Sequence, residues 1–438
     1  MPELLRVPAL SLVVLVGVAG SGKSTFAARQ FATTQVVSSD ACRAMVADDA
    51  RDQSATAAAF EVVHLVVARR LAAGRLTVVD ATNVEPAARR PLLELAREQD
   101  VPAVAIVLDL PTDLAAGRAA SRADRAVPAE VVRRQQAYLD ASLPTLSSEG
   151  FSAVHVLRSE ADVAAAAVSL VPAPFDRRAE RGPFDVIGDV HGCSDELEEL
   201  LAKLGYELER DGAGRAVGAR HPAGRRAVFV GDFIDRGPNP AAVLRLAMGM
   251  VAAGDALAVA GNHEFKLVRA LGGGGAGSAG PAKVGRNLTR TLELLAAEPA
   301  GFQEEAFAFC VGLPAHLLLD GGRLVVAHAG LKESYQGRDS SRVRAFALFG
   351  DTTGERDEYG FPVRLPWADD YRGRATVLYG HTPGVAHRWV NNTLCLDTGC
   401  CFGGALTAVR YPEREQVSVP ARRVYHAPTR PLHDMPAA

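Results

Sequence analysis

Residues 12–25, LVVLVGVAGSGKST, leave few folds open. An unbroken apolar run rich in valine reads as a strand buried on both faces, which is the habit of parallel sheets. It flows into a glycine-rich turn that opens a helical stretch. The run after Arg6, residues 8–20, also has the look of a secretory signal core. That reading leaves GSGKST unexplained, whereas a strand feeding a phosphate-binding turn accounts for every residue.

Gly17, Gly20, Gly22, Lys23, Ser24 and Thr25 complete the pattern GxxxxGK[ST] in its proper setting, after a strand and before a helix. Glycines let the backbone N–H groups curl toward phosphate, Lys23 adds a point charge, and Ser24 is placed to hold Mg²⁺ beside bound ATP. Four further β-rich runs, near residues 36, 76, 104 and 153, alternate with Ala/Arg/Leu-rich helical segments. Such alternation implies an α/β domain with a parallel sheet covered by helices.

The length of 438 residues suggests two domains, or three. Residues 1–172 form the first, and a Pro-rich, charged stretch at 173–182 reads as a solvated linker. A second domain is expected over 183–412, followed by a surface tail at 413–438. LGGGGAGSAG, residues 271–280, holds no regular element and reads as a loop. Six cysteines lie without a CxxC pair or a repeated spacing, which indicates neither a zinc ribbon nor a disulfide framework and fits a reducing compartment. The net charge of −3 gives no overall pull toward nucleic acid, so polynucleotide contact would be local. The expectation is a cytoplasmic, soluble enzyme with no membrane association.

Within the first domain, Asp40 at the end of VVSSD is placed to accept a proton from an attacking hydroxyl, with an exposed helix-capping carboxylate as the alternative. Arg43 projects over the same crevice. Asp80, ending LTVVD, suits a magnesium-organising carboxylate. Arg118, Arg122 and Arg125 share a helix face and either close over ATP phosphates or form a solvated basic surface.

The second half carries Gly188-Asp189-Val190-His191-Gly192, then Gly231-Asp232-Phe233-Ile234-Asp235-Arg236-Gly237, then Gly261-Asn262-His263-Glu264, each after an apolar run. His328 and His381 follow runs of the same kind. A two-metal site needs a bridging carboxylate plus carboxylate, imidazole and amide ligands, and this set offers them. The mixed N/O donors suggest Mn²⁺. Asp397, in LCLDTGC, is either an orienting group or a structural carboxylate.

The ordered motifs GDxHG, GDxxDRG, GNHE, a later histidine and GHT resemble the calcineurin-like metallophosphoesterases over residues 184–400. That resemblance implies an α/β sandwich with two divalent metals. Asp189 and His191 would bind the first, Asp232 would bridge, and Asn262, His328 and His381 would bind the second. Arg236 would hold phosphate oxygens and His263 would act on the leaving group, with Asp235 and Glu264 in support.

Joined to a phosphate-binding domain carrying SSDxCR and RxxxRxxR, the whole resembles bacterial polynucleotide kinase-phosphatase. The resemblance implies transfer of the ATP γ-phosphate to 5′-OH ends, with Asp40 as base and Arg43 on the substrate phosphate. It also implies removal of 2′,3′-cyclic, 2′- or 3′-phosphates from RNA or DNA ends, RNA foremost. The larger members continue into a ligase, so a separate ligase is an expected partner, and a second copy of the chain in a homodimer is another candidate. The alternative is a metallophosphatase acting on phosphoprotein or diadenosine polyphosphate, with an attached nucleotide-binding module.

Overall fold

The computed structural model describes residues 4–121, 126–272, 285–429 and 432. Arg122, Arg125 and most of the glycine-rich stretch at 271–280 lie outside them. The chain divides into two compact units, Met1–Ala173 with Arg338–Ser340, and Pro174–Gly337 with Ser341–Ala438. Among the described residues no helix is long and apolar enough to cross a membrane.

The strands of the first unit are β1 Leu4–Pro8, β2 Leu12–Val16, β3 Val36–Ser38, β4 Thr77–Asp80, β5 Ala103–Leu108, β6 Ala153–Leu157 and β7 Ala167–Val171. Five of them form a wholly parallel sheet in the order β3-β4-β2-β5-β6. Alternate residues of β2 and β5 enter two separate cores. Leu12, Val14, Val16, Ala105 and Val107 face one, while Val13, Leu15, Val104, Ile106 and Leu108 face the other. Burial on both faces is why these strands read as continuous apolar runs. β1 and β7 form a separate parallel pair.

In the second unit the strands are β8 Phe184–Ile187, β9 Glu207–Arg210, β10 Ala216–Arg220, β11 Arg226–Phe229, β12 Ala256–Ala258, β13 His316–Leu319, β14 Leu324–Ala327, β15 Thr352–Arg356, β16 Pro362–Arg364, β17 Thr376–Tyr379, β18 Thr393–Cys395, β19 Ala405–Tyr411 and β20 Glu415–Pro420. Two mixed sheets, β12-β11-β8-β19-β20 and β13-β14-β17-β18, build an α/β sandwich. Phe184, Val186, Val228 and Val230 of the first sheet share a core with Leu317, Leu324, Val326 and Leu378 of the second. The opposite face of the first sheet, with Ile187, Ala227 and Phe229, packs on Leu197, Leu201, Leu244 and Met250 of the helices Ser194–Leu204 and Pro240–Ala253.

Two boundaries differ from the expectation. The stretch 173–182 is not a free linker: Asp176 bridges Leu318, and the Arg177 N–H donates to the Leu318 carbonyl at 3.0 Å. Leu318 in turn donates its N–H to the Phe175 carbonyl at 2.9 Å. Residues 413–438 are not only a tail, because β20 pairs antiparallel with β19 from Arg410↔Glu415 to Ala405↔Pro420. The alternation in EQVSVP buries Val419 and turns its neighbours outward, a strand pattern that the surrounding Pro and Arg content obscured.

Candidate functional site

In the first unit the helix Lys23–Gln30 begins at Gly22, which takes a left-handed φ of 91° and leaves the helix N-terminus without a side-chain cap. Its N–H groups therefore face outward, an arrangement that suits phosphate. Gly20, at φ +80°, runs so close to the helix Thr112–Ala120 that a Cβ would meet the Ala115 carbonyl at 2.1 Å. Lys23 arches back to donate to the carbonyls of Gly17 and Val18, both at 2.8 Å. Ser24 and Thr25 stay exposed to the cavity in front.

That cavity, of about 1080 Å³, gathers the turn with Asp40, Arg43, Asp80, Arg118, Arg134 and Gln135. Asp40 sits not at the strand end but in the first turn of the helix Ser39–Ala47, whose cap is Ser38. Arg43, 4% exposed, donates to Asp40 Oδ1 at 2.6 Å and to the Ala50 carbonyl at 3.1 Å, so the two residues assigned to base and phosphate contact form one pair. Asp80 ends β4 and is buried. Arg118 lines the cavity and is paired with Glu160 at the surface. Gln135 escaped the sequence reading. Its side chain accepts from the Ala19 N–H at 2.8 Å and braces the phosphate turn from the helix Ala129–Ser142.

The second unit collects its chemistry at the carboxyl ends of parallel strands. Asp189 and His191 follow β8, Asp232 follows β11, and Asn262 follows β12. His328, His381 and Asp397 follow β14, β17 and β18 of the other sheet. The turns are tight: His191, Asp232, Asp235, Arg236 and His381 all have positive φ, between 44° and 73°. Non-glycine residues hold that conformation only where surrounding structure enforces it. Gly380 has no room for a side chain, since a Cβ would lie 1.8 Å from Asp189 Oδ1.

These atoms converge as lone pairs. Nδ1–H of His191 donates to the Ile234 carbonyl at 2.9 Å and Nδ1–H of His328 to that of Val230 at 3.1 Å, which leaves each Nε2 as an acceptor. His328 Nε2 then lies 2.9 Å from His381 Nδ1, 3.0 Å from Asn262 Oδ1 and 3.5 Å from Asp232 Oδ2. His191 Nε2 lies 3.4 Å from Asp232 Oδ2 on the other side. With its amide turned, Asn262 donates to Asp232 Oδ2, His381 Nδ1 and His328 Nε2 and accepts from Lys266; with the oxygen inward it adds one more lone pair to the cluster, the orientation that a bound cation would favour. Burial lowers the pKa values of His191 and His381 well below the ordinary imidazole value and that of His328 to about 4, so all three are neutral ligands. Burial raises Asp189, with Asp397 and Asp232 adding repulsion, and Asp397 is pushed up to about 6. Crowded carboxylates and imidazole lone pairs, with Asp397 Oδ2 and His381 Nε2 buried without partners among the described residues, fit divalent cations. Asp232 lies between the two halves of the cluster, where a bridging ligand belongs.

Beside this centre stands a histidine–carboxylate dyad. His263 Nδ1 faces Asp235 Oδ2 at 2.5 Å, and Asp235 Oδ1 accepts from Thr291 Oγ at 2.6 Å. Arg236 donates to His191 Nε2 at 2.6 Å and to His263 Nε2 at 3.3 Å, and lies over the Phe402 ring. Glu264 accepts the N–H groups of Gly261, Asp232 and Phe233, fixing the loop that presents Asp232. Thr291, 56 residues from Asp235, carried no signal in the sequence.

Residues 12–142 match the AAA domain family, and residues 182–385 match the calcineurin-like phosphoesterase family. Bis(5′-nucleosyl)-tetraphosphatase PrpE [asymmetrical] of Anoxybacillus flavithermus is 42% identical over 254 residues, covering 56% of this chain and 96% of its own. The protein of the same name from Bacillus subtilis is 42% identical over 246 residues, covering 55% and 96%. A solved structure of a candidate diadenosine tetraphosphatase, 23% identical with a TM-score of 0.39, covers 56% of this chain and 96% of its own.

Proposed function

Because the chain belongs to the calcineurin-like phosphoesterase family, with an AAA-type phosphate-binding domain ahead of its metal centre, we propose that the second unit hydrolyses phosphoric anhydrides of dinucleoside polyphosphates. The observation that carries this reading is the 42% identity to tetraphosphatases across 96% of their length, joined to the buried ligand cluster and its dyad. A match of 254 residues is too long for the first unit and fits the second. The sequence reading put nucleic-acid end healing first and diadenosine polyphosphate second; the relatives favour the second.

Asp189, His191, Asp232, Asn262, His328 and His381 would hold two divalent cations, Mn²⁺ foremost, which would supply Lewis acidity and a water of lowered pKa. The chain's own groups do the rest. Arg236 binds the phosphoryl oxygens and balances the negative charge that grows on them. His263, whose Nδ1–H is held by Asp235, takes a proton on the Nε2 lone pair that Arg236 contacts in the free site and gives it to the departing oxygen, while Thr291 fixes Asp235.

The first unit is read as a phosphotransferase using ATP and Mg²⁺. Lys23 and the turn hold the phosphates, Ser24 and Asp80 organise the metal, and Asp40 accepts the proton of an attacking hydroxyl. The Asp40–Arg43 pair on the wall of a large cavity supports a hydroxyl acceptor and keeps the end-healing reading as the second one, with a separate ligase as its partner.

One experiment separates the two. The purified chain is given Mn²⁺, Mg²⁺ and ATP with either diadenosine tetraphosphate or a short RNA bearing a 5′-OH and a 2′,3′-cyclic phosphate, alongside Asp189→Ala and Lys23→Ala. Hydrolysis of the tetraphosphate that depends on Asp189 is expected. Loss of the cyclic phosphate with the tetraphosphate untouched would overturn the first reading in favour of the second.

A further inference from the structure

Next to the metal centre of the second unit a cavity of about 600 Å³ begins at His263 and Asp235 and runs out past Lys266, Arg269 and Arg286, with His426 on its wall. His263, Lys266 and Arg269 follow one another at three-residue spacing on the helix Asn262–Leu271, so they share a face. At 1.5 Å per residue they form rungs roughly 4.5 Å apart leading away from the dyad. Arg286 enters from the start of the helix Arg286–Ala296.

The charge balance of this cavity is one-sided. Among the described residues its one carboxylate, Asp235, is already committed to His263 and Thr291. Among the described residues Lys266, Arg269 and Arg286 make no ion pair with a carboxylate. Three cations in a concave surface concentrate positive potential and select an extended anion. The cavity starts at the imidazole that protonates the departing oxygen, so whatever occupies it belongs to the leaving group. The alcohol of a simple phosphomonoester has no charge to offer these residues, whereas a chain of phosphates meets them in turn.

We propose that this cavity is the subsite for the leaving nucleoside polyphosphate, with Lys266, Arg269 and Arg286 as its phosphate-binding residues. The inference rests on the reading of the second unit as a hydrolase of nucleotide anhydrides and names the part of that substrate which the cavity holds. In the step itself the water oxygen bonds to phosphorus and the P–O bond to the leaving chain breaks. The electron pair stays on the leaving phosphate oxygen, which takes the proton from His263, and the water's proton passes to solvent. The basic rungs stabilise the charge of the departing chain.

The test compares the full chain with Arg269→Ala/Arg286→Ala and the charge-keeping pair Arg269→Lys/Arg286→Lys, with Mn²⁺ present. Two readouts are taken: the ratio of kcat/KM for diadenosine tetraphosphate to that for p-nitrophenyl phosphate, and inhibition of p-nitrophenyl phosphate turnover by inorganic triphosphate. In the alanine pair the ratio is expected to fall about tenfold, mainly through KM, and the inhibition constant to rise about tenfold. The lysine pair is expected to stay within a few-fold of the parent, which separates charge from the packing of Arg269 on Phe265. An unchanged ratio with unchanged triphosphate inhibition overturns the proposal. So does competition by an oligoribonucleotide where triphosphate does not compete, because the cavity then serves a polynucleotide. If the parent chain leaves diadenosine tetraphosphate intact, the substrate reading above fails, and the triphosphate arm still decides what the cavity binds.

Discussion

The two cavities present their polar groups by opposite means. In the first unit the helix start presents uncapped backbone N–H groups; Arg118 and Asp40 beside it are exposed or half-exposed and paired with Glu160 and Arg43, while Lys23, Arg43 and Asp80 are buried. In the second unit Asp189, His191, Asp232, Asn262, His263 and His328 are all buried and held by protein hydrogen bonds before any ligand arrives. A nucleotide brings its own charge and must enter and leave, so an open mouth with a rigid backbone floor is enough. Cations must instead be stripped of water and held by several ligands at once, which requires neutral imidazoles and carboxylates fixed in advance.

The sharpest way to break this contrast is to disable each site separately. Asp232→Asn is expected to lower phosphoesterase turnover by roughly 10³-fold or more, since the Lewis-acid contribution it anchors is worth several kcal/mol. Its ATP-dependent activity is expected to stay within a factor of two. Lys23→Ala should do the reverse, costing about 10²-fold in ATP-dependent turnover while the phosphoesterase is untouched. Parallel steady-state assays check both, and a variant that silences both activities would mean that the sites are not independent.

A smaller effect tests how far the second site is fixed in advance. Thr291→Val removes the hydroxyl on Asp235 while keeping side-chain volume, and about a tenfold loss of kcat is expected, as for other groups that orient a catalytic residue. The loss should be larger for poor leaving groups than for p-nitrophenyl phosphate. An equal loss on both would mean that the hydroxyl supports packing rather than proton transfer.

The smallest effect concerns stability rather than turnover. His316 is buried, stacked on Phe175 at 4.4 Å, and its pKa is lowered to about 4 by burial and then by Arg344. Between pH 6.5 and 4 the unfolded chain takes up a proton that the folded imidazole refuses, so stability falls as pH falls through that window and is complete above it. His316→Phe should flatten this acid limb, a change of no more than about 3 kcal/mol. Urea midpoints measured from pH 7 to 4 check it, and an unchanged slope would exclude this histidine.

The central strands β2, β4 and β5 were legible because each is buried on both faces and reads as a mainly apolar run, while β3 and β6, at the sheet edges and only half-buried, still carry enough valine to be seen. β1 and β7 were not. They are short, partly exposed, and paired across most of the unit's length. The candidate metal ligands were legible for a related reason: each lies on a tight turn directly after a buried strand, so composition and position announce it together. Thr291 and Gln135 had no such company, since one lies 56 residues from the group it holds and the other 116. Arg122 and Arg125, expected beside Arg118, lie outside the described residues.

What the sequence determined by itself was local: the strand, turn and helix that make a phosphate cradle, and the strand-end motifs that carry acidic, imidazole and amide donors. These are set by backbone conformations that only certain residues adopt and by side-chain chemistry that spacing preserves. Only the tertiary structure decided that Asp40 and Arg43 form a pair on the cavity wall, that Asp397 stands beside Asp189, and that Lys266, Arg269 and Arg286 line a cavity starting at His263. Burial, electrostatic crowding and concavity depend on which distant segments fold against one another, and no single stretch of chain contains them.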